Sequence, residues 1–359
     1  MSGTSGTSGT SGTSGTSGTS GTSGTSAGSV IGPDVTALGG DIYRPLLISP
    51  STMVVSGLPS GAPLIFTGER WPGSQGNDWG LVPSSEFRDS DWDLDKISIA
   101  VLGEVVQQTL GASPGKTWAQ LLDTTVDAYD PAMTTAELAE LRSLIEYRAG
   151  VFDEAMAQRA GMLTYMRGVL NFRASSHPST YRLCVLGFQF AQFQNMYWKR
   201  VFKRPRPSRL DPTLVPPIEV PGHAAYPSGH ACEAMMVALL LEQILPSEII
   251  PPGGAELGPL RVMARRIARN REVLGLHYPS DTRCGFKIAA RSLPLFLSAP
   301  TVRGVEDLDS SGTAKNAAGD ERSQAAVTLD TSSPSETIET TGHQIYLNGL
   351  LAKARLEWA

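Results

Sequence analysis

From about residue 91 the chain places its apolar residues at the three- and four-residue steps of a helix. Leu94, Ile97, Val101 and Val105 fall on one stripe. Thr134 followed by Glu137 reads as a capping box, continued by Leu138, Leu141 and Ile145. A further helix is expected from Phe152 to Leu170. Leu183, Leu186, Phe190, Phe193, Tyr197 and Val201 carry the strongest periodicity, and their helix must stop near Lys203, because Pro205 and Pro207 lack donors and clash with the preceding turn. Helices follow from Ser228 to Leu245, from Glu256 to Arg271 and from about Ser280 to Leu297, and Ile345 to Trp358 reads as a terminal one. No strand–helix alternation and no glycine-rich phosphate loop interrupts this pattern. The expected fold class is all-α, a helical bundle core with an irregular N-terminal wrap.

Composition sets the limits of that core. Residues 2–25 are eight tandem copies of Ser-Gly-Thr, which cannot bury apolar surface. The expected organisation is therefore a disordered low-complexity tail over 1–26 and an irregular extension packed on the core over 27–90, where only short runs such as Leu46-Leu47-Ile48 and Met53-Val54-Val55 are apolar. A helical catalytic domain over 91–300, a linker over 301–340 and a C-terminal helix within 341–359 complete it. No run approaches the eighteen or so apolar residues of a membrane span, and the N-terminus has neither a basic nor an apolar leader region. The expectation is a cytoplasmic protein without a membrane span. The three cysteines form no CxxC pair. A net charge of −5 argues against nucleic-acid binding.

The charge is unevenly spread. Of 30 Lys and Arg, six lie in 199–209 and five in 261–271. Lys199 ends an apolar helix, and Arg206 stands between two prolines that fix its direction, which suits bidentate contact with a tetrahedral oxyanion. Arg271 continues the inward stripe of Leu257, Leu260, Ala264 and Ile267, where an arginine needs a carboxylate or an anionic ligand. Arg261, Arg265, Arg266 and Arg269 fall off that stripe and read as solvated. Ser228 is the expected N-cap of the helix opening Gly229-His230, where free amides could meet an anion. Asp281 sits one turn from His277 and could fix its tautomer. Each feature alone has a plain structural reading: a cap, a buried ion pair, a solvated basic face. Of the remaining histidines, His177 and His343 read as loop residues.

Three spacings occur together: Lys199, six residues, Arg206-Pro207; Pro227-Ser-Gly-His230; and Arg271, five residues, His277, three residues, Asp281. This pattern resembles the signature of the type 2 phosphatidic acid phosphatase and vanadium haloperoxidase superfamily, with Asn270 where the family usually has Ser. The resemblance implies a bundle core and an oxyanion cage of Lys199, Arg206, Ser228, Gly229 and Arg271. In a phosphatase, His277 would attack phosphorus, Asp281 would orient it, and His230 would protonate the leaving oxygen; no cofactor is then needed. In a haloperoxidase the cage would hold vanadate with His277 as the ligand to the metal, and hydrogen peroxide and halide would be the reactants. His223 is a further pocket candidate, although a loop histidine in Pro-Gly-His is its plainer reading. The leading expectation is a soluble phosphatase acting on a small phosphorylated substrate, a phosphomonoester, through a phosphohistidine. A vanadate-dependent haloperoxidase is the alternative, and a non-catalytic oxyanion-binding protein the third reading. A homo-oligomer is compatible with the sequence.

Overall fold

The computed structural model describes residues 92–112, 119, 126–246, 249, 258–318, 327–329, 336–338 and 344–359. The repeat over 1–26 and the extension over 27–90 lie outside these residues.

The described residues are mostly helical. The elements are α1 (Leu94–Ala112), α2 (Thr134–Ser143), α3 (Arg148–Ala160), α4 (Met162–Met166), α5 (Pro178–Phe202), α6 (Pro207–Leu210), α7 (Gly229–Ile244), α8 (Pro259–Val273), α9 (Pro279–Leu297), α10 (Pro300–Arg303) and α11 (Leu350–Leu356). Short 3-10 turns precede and follow α2. Four strands of two or three residues form two antiparallel pairs, β1 (Ala317–Ala318) with β4 (Ile345–Tyr346) and β2 (Val327–Leu329) with β3 (Glu336–Ile338).

α7 is the centre of the bundle. Its run from Ala231 to Leu241 is buried on every side, because α5, α8 and α9 all pack against it. Apart from Glu233 the run is apolar all round, and such a helix is stable only in a position of this kind. The approach of α9 is especially close. A Cβ on Gly285 would lie 2.6 Å from the Ser228 carbonyl oxygen and 2.9 Å from the Ala231 Cβ, so only glycine lets the two backbones meet.

Several elements differ from the sequence expectation for visible reasons. Leu94, Ile97, Val101 and Val105 are all buried as expected. The capping box is not formed: Thr134 lies inside α2 after an uncapped Met133, and the Glu137 carboxylate leaves its own helix to meet Arg204 and the Ser280 amide. The expected helix from Phe152 to Leu170 is broken at Gly161, whose ψ of 78° lies outside the helical range, giving α3 and α4. α5 ends where the prolines require, with Lys203 left-handed at φ 53°. The outer part of its stripe, Phe193, Tyr197 and Val201, is partly exposed rather than core.

On α8, Arg261 is buried, not solvated, and pairs with Glu242 through Nε at 2.9 Å and Nη2 at 2.7 Å. The expected terminal helix is shorter: 345–346 form a strand, and only Leu350–Leu356 are helical. Just beyond it, Glu357 accepts from the Ser179 and Thr180 amides at 2.7 and 2.8 Å, capping the N-terminus of α5. His177, at the start of that helix, stacks on Trp358 with ring centroids 4.3 Å apart. His343 lies outside the described residues. No described helix is long and apolar enough to cross a membrane.

Candidate active site

The three sequence segments converge at the N-terminal ends of α7 and α9. Ser228 caps α7 as expected, its hydroxyl accepting from the Ala231 amide at 3.5 Å. Its own amide donates to the Asp281 carbonyl at 2.9 Å, which joins the two helix starts directly. The Tyr226–Pro227 peptide just before Ser228 is cis.

The spacing between Arg271 and His277 has a local cause. α8 ends in a Schellman motif, in which the Leu276 amide donates to the Arg271 carbonyl and the Gly275 amide to the Glu272 carbonyl. Gly275 takes the required left-handed conformation at φ 74°. The chain thus turns within a few residues from the arginine to the histidine. Thr282 Oγ1 donates to Glu272 Oε1 at 2.5 Å and closes the same turn from the other side.

His277 is fully enclosed, and its partners define its tautomer. Nδ1 lies 3.0 Å from Asp281 Oδ2, which can only accept, and Nε2 lies 3.0 Å from Arg206 Nη1, which can only donate. The proton therefore sits on Nδ1, and Nε2 presents a lone pair toward a guanidinium. Asp281 also accepts from the Tyr278 amide at 3.0 Å and from Arg204 Nη1 at 2.7 Å. Burial pushes its carboxyl up, and Arg204, the Tyr278 amide and Lys199 pull against that.

The cations fall into distinct arrangements. Arg206 is anchored by donating to the Leu276 and His223 carbonyls at 2.7 and 3.0 Å, and its Nη2 lies 3.0 Å from His223 Nδ1. His223 is thereby brought to the site rather than left in a remote loop. Lys199 spends all three donors on carbonyls, those of Ala224, Ala225 and Pro227, at 2.9, 3.0 and 2.5 Å. In this arrangement it holds the segment leading into α7 and reaches the site through its charge. Arg271 Nη2 donates to the Ala155 carbonyl at 2.5 Å and lies 3.2 Å from Gln158 Oε1, while its Nε is buried without a hydrogen-bond partner. Asn270, at the family's serine position, turns away to give its amide to the same Gln158 oxygen at 3.1 Å.

Burial and the accumulated positive charge together disfavour further protonation at the site. Burial, followed by Arg206, Lys199, His230 and His223, holds His277 well below the ordinary histidine value. Burial, followed by Arg271, Lys199 and Arg206, does the same to His230, whose Nε2 is buried without a hydrogen-bond partner. Burial also lowers Arg206 and Arg271 to about 10, and lowers Lys199 strongly, with Arg206 adding to that effect. Such a cluster is deficient in negative charge and suits a multiply charged anion. Among the described residues no group of three or more His, Cys, Asp or Glu could hold a metal ion.

Arg204 is one of the six cations in 199–209, and nothing in its spacing marks its role. It is 1% exposed, lies 3.6 Å over the Tyr278 ring and 4.6 Å over Tyr129, and bridges Asp281 to Glu137. Gln158 carries no signal in the sequence and Glu137 only that of a helix cap, since each becomes a site neighbour only when α3 and α2 pack against the bundle.

Comparison with known proteins agrees with the three-part pattern. Residues 181–303 match the PAP2 superfamily. A decaprenylphosphoryl-5-phosphoribose phosphatase of Mycobacterium tuberculosis (strain CDC 1551 / Oshkosh) is 30% identical over 96 residues, 26% of this chain and 45% of that protein. Its counterpart from Mycolicibacterium smegmatis is 28% identical over 151 residues, 36% of this chain and 75% of that one. The chain thus spans less than half the length of the first of these relatives. A transmembrane PAP2-type phosphatidylglycerolphosphate phosphatase from Bacillus subtilis aligns at 16% identity over 57% of this chain and 90% of its own, with a TM-score of 0.23, too loose a superposition to argue from. The matched segment contains every residue of the Lys199-to-Asp281 pattern, and residues 181–303 are a domain of the PAP2 superfamily.

Proposed function

We propose that the chain is a phosphatase that hydrolyses phosphomonoesters through a phosphohistidine on His277. The observation that carries this reading is the His277 tautomer, with Nδ1–H directed at Asp281 and the Nε2 lone pair directed at Arg206. This tautomer makes Nε2 the nucleophilic nitrogen once an entering phosphoryl group draws Arg206 Nη1 away from it, and the developing imidazolium is stabilised by the carboxylate behind it. The relatives named as phosphatases support the same reaction class.

In the first step, His277 Nε2 forms a bond to phosphorus as the bond to the ester oxygen breaks, and His230 gives that oxygen its proton. Arg206, Arg271, Ser228, the Gly229 amide and the Lys199 charge stabilise the phosphoryl oxygens. His230 is held neutral by burial and then by its cationic neighbours, and an entering phosphate dianion offsets both and lets it take up the proton it must donate. In the second step His230 takes a proton from water, whose oxygen attacks the phosphohistidine. Inorganic phosphate leaves and His277 returns to its starting tautomer. No cofactor takes part in these steps.

Tetrahedral vanadate fits the same donor set, so one preparation tested two ways separates this reading from halide oxidation. Phosphate release is measured on an aryl phosphate and on a prenyl phosphate, and halide oxidation by hydrogen peroxide is measured after adding orthovanadate. The expected result is phosphate release inhibited by vanadate. Halide oxidation that requires vanadate, without phosphate release, would overturn it, and activity in neither assay would leave an oxyanion-binding protein.

A further inference from the structure

We propose that Glu137, on α2 and outside the matched segment, is a positioning residue for the His277–Asp281 pair, acting through Arg204. The proposal rests on the reading of His277 as the attacking group.

The geometry is a continuous buried chain. Glu137 Oε2 accepts from Arg204 Nη2 at 2.7 Å, and Arg204 Nη1 donates to Asp281 Oδ1 at 2.7 Å. The other Asp281 oxygen faces His277 Nδ1 at 3.0 Å. The side chains of Glu137, Arg204 and Asp281 are 5%, 1% and 0% exposed, so water competes for none of these contacts. Glu137 Oε1 meanwhile accepts from the Ser280 amide at 2.7 Å, in the first turn of the helix that carries Asp281. One carboxylate therefore holds both the guanidinium that aims Asp281 and the backbone on which Asp281 is mounted.

Charge explains why the partner must be an anion. Asp281 already engages an imidazole and a backbone amide, and Arg204 binds it with one arm only. Without Glu137 the other arm of a fully buried guanidinium would lose its counter-ion, and the stacking on Tyr278 and Tyr129 fixes the plane of the group but supplies no full negative charge. Arg204 would then rotate or draw Asp281 toward itself, and the Asp281–His277 bond would lengthen. The half-exposed Arg283 stands farther off, its Nη2 4.0 Å from Oε1. Outer groups that orient a catalytic histidine's carboxylate act on geometry and tautomer rather than on substrate contact.

Glu137→Gln keeps an acceptor for the Ser280 amide and removes the charge facing Arg204, so it isolates the ion pair. The full chain is compared with E137Q, E137D, R204K and the double variant E137Q/R204K. Two readouts are used: steady-state phosphate release, and the downfield proton NMR signal of His277 Nδ1–H, assigned by its loss in H277N. The expected results for E137Q are a kcat lowered at least ten-fold, KM within two-fold, and an upfield shift or loss of the Nδ1–H signal. E137D should recover part of both. R204K should lose as much as E137Q, and the double variant no more than either single one, as members of one chain should. An E137Q protein with unchanged signal and kcat, or losses that add fully in the double variant, would overturn the proposal. So would absence of the signal in the unaltered chain. Should E137Q not fold, R204K and E137D decide the matter by the same two readouts. If the unaltered chain releases no phosphate while E137Q still displaces the signal, the positioning of the pair stands and the phosphatase reading is what fails.

Discussion

The backbone amide of Ser228 donates to the carbonyl of Asp281 at 2.9 Å, tying the start of the helix that carries His230 to the start of the helix that carries His277's partner. Side-chain chemistry at this site therefore depends on a main-chain contact between two helices, and that contact depends on Gly285.

A methyl group at Gly285 would meet the Ser228 carbonyl at 2.6 Å and the Cys232 amide at 3.1 Å, both backbone atoms that cannot step aside. Gly285→Ala should cost about 1–3 kcal/mol of stability by overpacking, read by urea unfolding, and should lower kcat as Ser228 and Asp281 separate. Gly150→Ala, where nothing lies within 4 Å, should instead stabilise α3 by up to about 1 kcal/mol.

Gln158 holds the Arg271 guanidinium and the Asn270 amide with the same side-chain oxygen. Removing a hydrogen bond to a charged group costs about 1.5 kcal/mol or more. Gln158→Ala should accordingly weaken inhibition by orthovanadate about 10-fold, as measured by inhibition constants, because Arg271 keeps only its bond to the Ala155 carbonyl and is less firmly aimed at the oxyanion.

His230 as the proton donor predicts a dependence on the leaving group. His230→Ala should lower kcat/KM, which reports the first step alone, about 10²- to 10⁴-fold on an alkyl phosphate and far less on a nitrophenyl phosphate, whose leaving oxygen needs no proton. Equal losses on the two substrates would remove His230 from that role.

The lowered values of His230 and His277 also predict a pH dependence of folding. Below about pH 6.5 the unfolded chain protonates both histidines while the folded protein does not. The unfolded state then binds more protons, so stability is fully present above pH 6.5 and is lost as pH falls below it, by about 1.4 kcal/mol per pH unit for each histidine. Urea midpoints between pH 7 and 5 should fall accordingly, and less steeply in H230N or H277N. Phosphate should blunt the fall, since its charge offsets the positive field that adds to burial in keeping both rings neutral.

Glu357 accepts from two amides and from Thr180 Oγ1 at the start of α5. Glu357→Ala should cost about 1–2 kcal/mol through loss of an anionic cap, seen as a lower Tm. kcat should be unchanged, because the cap lies at the end of α5 opposite to Lys199.

The sequence alone determined the local matters. Apolar periodicity placed most of the helices, prolines stopped α5 at Lys203, Ser228 capped α7, and four-residue spacing set His277 beside Asp281; each of these depends on neighbours within a turn or two. Tertiary packing decided the rest. Glu137 looked like half of a capping box, yet it serves a helix start 143 residues away. Lys199 looked like an oxyanion ligand, yet its three donors hold the backbone before α7. Asn270 looked like a lost hydroxyl, yet it braces Gln158. Arg261 looked solvated and is buried against Glu242. In each case the residue type was informative and its partner was not, because a buried charge takes its counter-ion from whichever helix packs nearest, and no spacing along the chain records that distance.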